Sequence, residues 1–233
     1  RMTQPLFHYG FDGFVCSAGG YVGCDGKILV DIPMEPEQVS GLRAALERAG
    51  AECTLEVRDE TYGGIKMIER FANLFPKTPG KVNSEAERWR KMMEFGMTIC
   101  PIEKYHGEPV YKIVFIAPNE ECLTEVKRQY ESQFVFCESR LGDEGGGIVN
   151  GELINRKFDK GTGIKAICGF LGCSLADTIG FGDSDNDLQM TDVVGISVCM
   201  ANGSDNLKKR CDRICPAVSE DGVAKEFAEL GLI

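Results

Sequence analysis

Three aspartates fall within five residues of the stretch Ile179-Gly180-Phe181-Gly182-Asp183-Ser184-Asp185-Asn186-Asp187, with Asn186 among them and two glycines just ahead. Carboxylates crowded this closely repel one another unless a cation or solvent relieves the charge. The apolar, β-prone run before Asp183 predicts a buried strand. A strand that ends in Gly-Asp aims its acids at the carboxyl edge of a sheet, where open α/β folds bind ligands. Hard oxygen ligands there suit Mg²⁺, which keeps several waters and takes one or two protein carboxylates. Asp183 is the expected direct ligand. Asp187, one turn on, belongs to the same metal site by orienting the metal's waters or its neighbours, and Asn186 has an amide to donate to phosphate. The plainer alternative is a capped helix start, with Ser184 or Asp185 as cap and Asp187 in the first turn. Capping accounts for one or two of the acids, not three.

Gly-Asp-x-x-Asn-Asp after a strand resembles the fourth motif of haloacid dehalogenase-like phosphatases of the Cof-type subgroup. Gly195-Ile-Ser-Val-Cys-Met-Ala-Asn-Gly203 and Ser219-Glu-Asp-Gly-Val-Ala224 continue the likeness. Upstream, Asp159-Lys160-Gly161-Thr162-Gly163 is similar to the family's lysine motif, with Glu152 at its usual acidic position. The similarity is close over residues 152–233 and holds in outline elsewhere. It implies an α/β fold: a Rossmann-like, doubly wound parallel sheet with an inserted α/β cap domain. It also implies a Mg²⁺-dependent phosphatase acting on small phosphorylated metabolites, whether sugar phosphates, nucleotides or cofactor phosphates. Lys160 and Asp183 would then be catalytic, Lys160 and Asn186 would hold phosphate, and Asp183 and Asp187 would serve the metal. Lys160 opens a predicted helix, so its compact cation and the helix amino terminus both favour phosphate there. The alternative for Lys160 is a solvated surface lysine.

In the family an aspartate at the end of the first core strand attacks phosphorus and forms an aspartyl-phosphate. A second aspartate two residues later protonates the leaving oxygen, and a Ser or Thr on the next strand also holds phosphate. None of these has a match here. Phe11-Asp12-Gly13 is not the nucleophile motif, because Gly10 and Phe14 stand where an acid and a threonine are needed. The chain begins at Arg1, and a strand, helix and strand of roughly 35–45 residues at average lengths would precede it. These 233 residues alone are therefore expected not to turn over. An Asp-x-Asp-x-Thr upstream would separate the phosphatase from the alternative, a non-catalytic binding protein that keeps only the metal and phosphate half-site.

Elements must position these groups, and the pattern supplies them. Asp25-Gly26 reads as a two-residue hairpin turn between Tyr21-Val22 and Ile28–Val30, after a short buried strand over 12–17. Val39, Leu42, Leu46 and Ala49 stripe a helix over 35–49, closed by Gly50. Strands are predicted at Cys53–Val57, Val110–Ala117, Phe134–Cys137 and Ile196–Met200. Further helices are predicted over 65–75, from Ser84, from Asn119, from Lys160, from about Asp185, near Leu207–Arg210 and after Asp221-Gly222. Asn150-Gly151 reads as a tight turn and Gly145-Gly146-Gly147 as a flexible return. The expected domains are a core segment at 1–32, the cap at 33–150, and the core with its metal and phosphate half-site at 151–233.

The net charge of −10 argues against nucleic acid or an anionic membrane as partner, so a phosphorylated ligand must be met by local positive charge. No apolar run approaches the ~20 residues of a membrane span. Eleven cysteines without a Cys-x-x-Cys read as reduced, mostly buried thiols of a cytoplasmic protein. Cys211 and Cys215, four apart, would meet on a helix, although core packing accounts for them better.

Overall fold

The computed structural model describes residues 10–64, 99–141 and 148–233. The helices expected over 65–75 and from Ser84, and the glycine run at 145–147, lie outside the described residues. Two compact units emerge: one is built from Ile32–Lys157, the other from Phe158–Ile233 together with the segment ending at Asp31. Each is described separately.

The second unit begins with an antiparallel meander of β1 (Gly13–Cys16), β2 (Tyr21–Cys24) and β3 (Lys27–Asp31). Asp25 and Gly26 both adopt positive φ, 49° and 71°, the conformation a two-residue hairpin of this twist requires. β1 is half-exposed at all four positions, so the expectation of a buried strand fails there: it forms the edge of its sheet, paired with β2 alone among the described residues.

In the first unit, α1 (Pro36–Arg48) starts with proline in its first turn and a reciprocal Glu35–Gln38 capping box. Gly50, at φ 71°, follows it. Next come β4 (Glu52–Val57), β5 (Thr61–Gly63), β6 (Ile99–Pro101), β7 (Val110–Ala117), α2 (Thr124–Tyr130), β8 (Phe134–Leu141) and β9 (Ile148–Asn155). The sheet order is β6-β5-β4-β7-β9-β8, antiparallel throughout except for β5–β6. Leu55, Ile113, Phe115, Phe134 and Leu153 form one core with Val39, Leu42 and Leu46 of α1 and Val126 of α2. The predicted turn at Asn150-Gly151 is instead the middle of β9. Gly151 is there because a Cβ would lie 2.3 Å from the Phe115 ring, so close approach across the sheet, not chain reversal, requires glycine.

The second unit resumes with α3 (Lys160–Leu171), β10 (Ile179–Gly182), α4 (Leu188–Thr191), β11 (Ile196–Met200), α5 (Asp205–Lys208), β12 (Arg213–Cys215) and α6 (Gly222–Glu229). β10, β11 and β12 are parallel neighbours in that order. Val198, Met200 and Cys215 are buried among Ile179, Phe181 and Ile196. Phe181 stacks at a tilt on Phe227 of α6, with ring centroids 5.4 Å apart. Arg213 on β12 ion-pairs the buried Glu226, fixing α6 to the sheet edge. Cys211 and Cys215 do not share a helix: Cys215 lies on β12 with its thiol 3.3 Å from Met200 Sδ, because the short strand ends the helical path at Lys208.

None of the eleven cysteines forms a disulfide, and they are less buried than expected: Cys24, Cys168, Cys199 and Cys215 are buried, Cys173 is exposed and the rest are half-buried. Burial pushes the Cys53 thiol up to about 11, with nearby Glu52 and Glu47 adding to the effect. Cys199 likewise reaches about 11, through burial first and then the neighbouring Cys211. No helix among the described residues is long and apolar enough to cross a membrane.

Candidate active site

β10 alternates small and apolar residues for a steric reason. A Cβ on Gly182 would sit 2.8 Å from Asp187 Cβ, and one on Gly180 would sit 3.1 Å from Met190 Sδ. Glycine at both positions lets the following turn fold back beneath the strand end. That turn is a short 3-10 helix over Asp185–Asp187, with Ser184 in extended geometry before it.

Asp187 is buried and saturated. Its Oδ2 accepts the backbone N–H of Asp183 at 3.0 Å and of Ser184 at 3.3 Å, and its Oδ1 takes the Lys160 ammonium. Asn186 Oδ1 accepts from Lys160 Nζ at 2.9 Å and from Ser184 Oγ at 3.0 Å. With its oxygen doubly engaged, Asn186 keeps its amide N–H groups for an outside acceptor. Lys160 has three donors and spends two on Asp187 and Asn186, leaving one among the described residues.

Lys160 is held from behind by its helix. Asp159 caps α3, accepting from Thr162 N–H at 2.6 Å, and its own N–H donates to Thr162 Oγ1 at 2.9 Å. Gly161 has no room for a side chain, since its Cβ would meet the Gln189 carbonyl at 2.5 Å. The left-handed turn of Ser17 and Ala18 brings Gly19 against Asp159, where a Cβ would lie 2.1 Å from the carbonyl oxygen.

Asp183 contrasts with Asp187. It is exposed, and among the described residues its carboxylate meets no hydrogen-bond or ion-pair partner. Asp185 is also exposed but is taken up by Ser204 Oγ and, at 3.4 Å, by Asn206 Nδ2. Of the residues expected at the site, Lys160, Asn186 and Asp187 are therefore in direct contact, and Asp183 joins them through its backbone amide. Glu152 belongs to the other unit, on β9, with its carboxylate 3.1 Å from Lys112 Nζ. Ser204 and Asn206 were missed in the sequence. Ser204 carries a signal, a serine directly before a helical Asp-Asn-Leu, but its bond to Asp185 joins residues 19 apart.

The donor set decides which cation fits. No three His, Cys, Asp or Glu side chains converge among the described residues. One free carboxylate at a solvent-facing strand end fits Mg²⁺, which holds its waters and uses few protein oxygens. Asp183 meets that requirement. Asp187 would have to give up one of its three donors to bind a cation directly.

An α/β unit with a lysine, an amide and a free acid at one carboxyl edge of a parallel sheet defines a class, and comparison with known proteins gives it a name. The model of the haloacid dehalogenase-like hydrolase family matches residues 1–227, and the chain belongs to that family. The HMP-PP phosphatase of Yersinia enterocolitica is 32% identical over 229 residues, covering 96% of this chain and 76% of its own length. YkrA of Bacillus subtilis is 43% identical over 129 residues, covering 55% of this chain and 46% of its own length. The chain thus spans less than half of that relative. Among solved structures, a haloacid dehalogenase-like hydrolase from B. subtilis shares the fold with a TM-score of 0.72 at 20% identity, over 94% of this chain and 80% of that one.

Proposed function

We propose that the protein is a Mg²⁺-dependent phosphatase that hydrolyses phosphate monoesters of small metabolites. The unit containing α3 and β10–β12 serves as its catalytic core, and the Ile32–Lys157 unit as its cap. The reading rests on one asymmetry: Asp187 is filled by three protein donors while Asp183, four residues earlier, is left open at the same strand end. Pure helix capping would engage the acids; it gives no reason to leave one exposed beside a lysine with a donor to spare.

In this reading Asp183 holds the cation, and a bound Mg²⁺ supplies charge neutralisation at the phosphoryl oxygens. Asp187 holds Lys160 in place and, through the amides of Asp183 and Ser184, holds the loop that carries Asp183. Lys160 directs its remaining N–H at a phosphoryl oxygen, where its charge matters most as charge builds in the transition state. Asn186 donates its amide to a second oxygen. The name of the Yersinia relative supports a small phosphorylated organic substrate. The test is hydrolysis of p-nitrophenyl phosphate by protein expressed from its whole reading frame. Activity should require Mg²⁺ and vanish in excess EDTA; undiminished activity in EDTA would sink the proposal. Phosphate binding without turnover would favour a binding protein instead.

A further inference from the structure

The turn joining β11 to α5 touches the Asp183 loop at more points than any capped helix start needs. Ser204 donates its backbone N–H to the Asp183 carbonyl at 3.0 Å. Its hydroxyl donates to Asp185 Oδ1 and accepts from Leu207 N–H at 3.2 Å. One residue thus grips the acid loop by backbone and side chain while capping the next helix. Its neighbour Gly203 lies so close that a Cβ would stand 3.0 Å from the Asp183 carbonyl, 2.9 Å from the Met200 carbonyl and 2.7 Å from Cys199 Sγ. The same turn is tied down on its far side by Asn202, whose Oδ1 accepts from Val218 N–H at 3.0 Å without touching the acid loop.

We propose that Ser204 and Gly203 are positioning residues that set the backbone of Asp183, and so the cation affinity of its carboxylate. This rests on the reading of Asp183 as the metal ligand. Nothing else on the Asp183 side chain restrains it among the described residues, so its aim is inherited from its main chain. The main chain is held at the amide by Asp187 and at the carbonyl by Ser204. Removing the Ser204 hydroxyl leaves Asp185 only the longer bond from Asn206 Nδ2 and slackens the grip. A methyl on Gly203 pushes directly on the Asp183 carbonyl.

The decisive measurement is Mn²⁺ binding by electron paramagnetic resonance of the free ion, with Mg²⁺ as competitor, alongside thermal melts. Groups that orient metal ligands typically cost ~10–100-fold in affinity when altered. Gly203→Ala should fall at the upper end of that range and Ser204→Ala near its lower end. Ser204→Thr, which keeps the hydroxyl and the cap, should restore affinity to within about 3-fold of wild type. Asn202→Ala should lower the melting temperature and leave Mn²⁺ affinity unchanged, because it loosens the turn away from Asp183. Wild-type affinity in Ser204→Ala would overturn the inference even if Gly203→Ala fails to fold. So would an equal loss in Asn202→Ala and Ser204→Ala, which would reduce the turn to general stability. Wild-type protein that binds Mn²⁺ no better than Asp183→Asn would overturn the metal reading itself, and the inference with it.

Discussion

Lys112 and Lys160 each stand between two side-chain acceptors, one lysine in each unit, and the acceptors make them different residues. Lys112 lies on β7, 3.2 Å from Glu56 and 3.1 Å from Glu152 on the flanking strands. Its side chain is 17% exposed. Burial would push its pKa down, but the two carboxylates outweigh that and hold it above the ordinary lysine value. Two negative charges against one positive leave nothing to attract an anion. Lys160 has one carboxylate and one neutral amide, is 31% exposed, and sits at the amino terminus of α3. Among the groups it touches its charge is matched, not exceeded, and the helix terminus adds favourable potential for phosphate. Exchanging a carboxylate for an amide at one acceptor is what separates a lysine that ties strands together from one able to receive a ligand.

The largest test of this contrast is at the open acid. Asp183→Asn should abolish Mg²⁺-dependent phosphatase activity, whereas Asp187→Asn should leave a measurable remnant with Mg²⁺ affinity weakened ~10–100-fold. A Mg²⁺ titration of both variants decides; a dead Asp187→Asn beside an active Asp183→Asn would exchange the two roles. Sequence alone predicts that both variants fold as well as wild type, since each relieves carboxylate repulsion. The three donors on buried Asp187 change that expectation: its variant should lose about 1–3 kcal/mol, read as a lower melting temperature, while Asp183→Asn should not.

Next in size is a crossed pair of substitutions. Lys160→Ala should lower kcat by about 100-fold and weaken competitive inhibition by inorganic phosphate. Lys112→Met should leave both unchanged and lower only the melting temperature. If Lys112→Met cost activity as heavily as Lys160→Ala, the distinction between the lysines would collapse.

The smallest effect is in pH. Because the folded-state pKa of Lys112 lies above its unfolded value, its ion pairs contribute fully below about pH 10.4 and are lost as pH rises through the folded value. Melts of wild type and Lys112→Met should therefore stay apart across neutral pH and converge only in strong alkali. Convergence near pH 8 would mean that the pairs do not hold the proton.

What the sequence disclosed depended on the range of the cause. β7 and β11 match their predicted limits, Val110–Ala117 and Ile196–Met200, because their apolar runs declare them locally. α3 begins at Lys160 as read, because its cap lies in the same few residues. β5, β6 and β12 went unread, each being three residues long and defined by partners far along the chain. Asn150-Gly151 misled because the ring that makes glycine necessary belongs to Phe115, on another strand. At the site, the four residue types and their order were legible. That Asp187 would be spent on Lys160 and two amides while Asp183 stayed open was not, since the difference arises only when α3 meets the end of β10.

The buried Cys199 and the half-buried Cys53 give the molecule built-in reporters of its own opening. With pKa values of about 11, Cys53 and Cys199 are ~0.1% thiolate at pH 8, and the thiolate is the form that alkylates. Iodoacetamide therefore modifies them chiefly when the surrounding structure lets water in. Cys53 lies on β4 in one unit and Cys199 on β11 in the other. Mass spectrometry of the two peptides over time would read two separate clocks, one for each unit, from a single unlabelled sample.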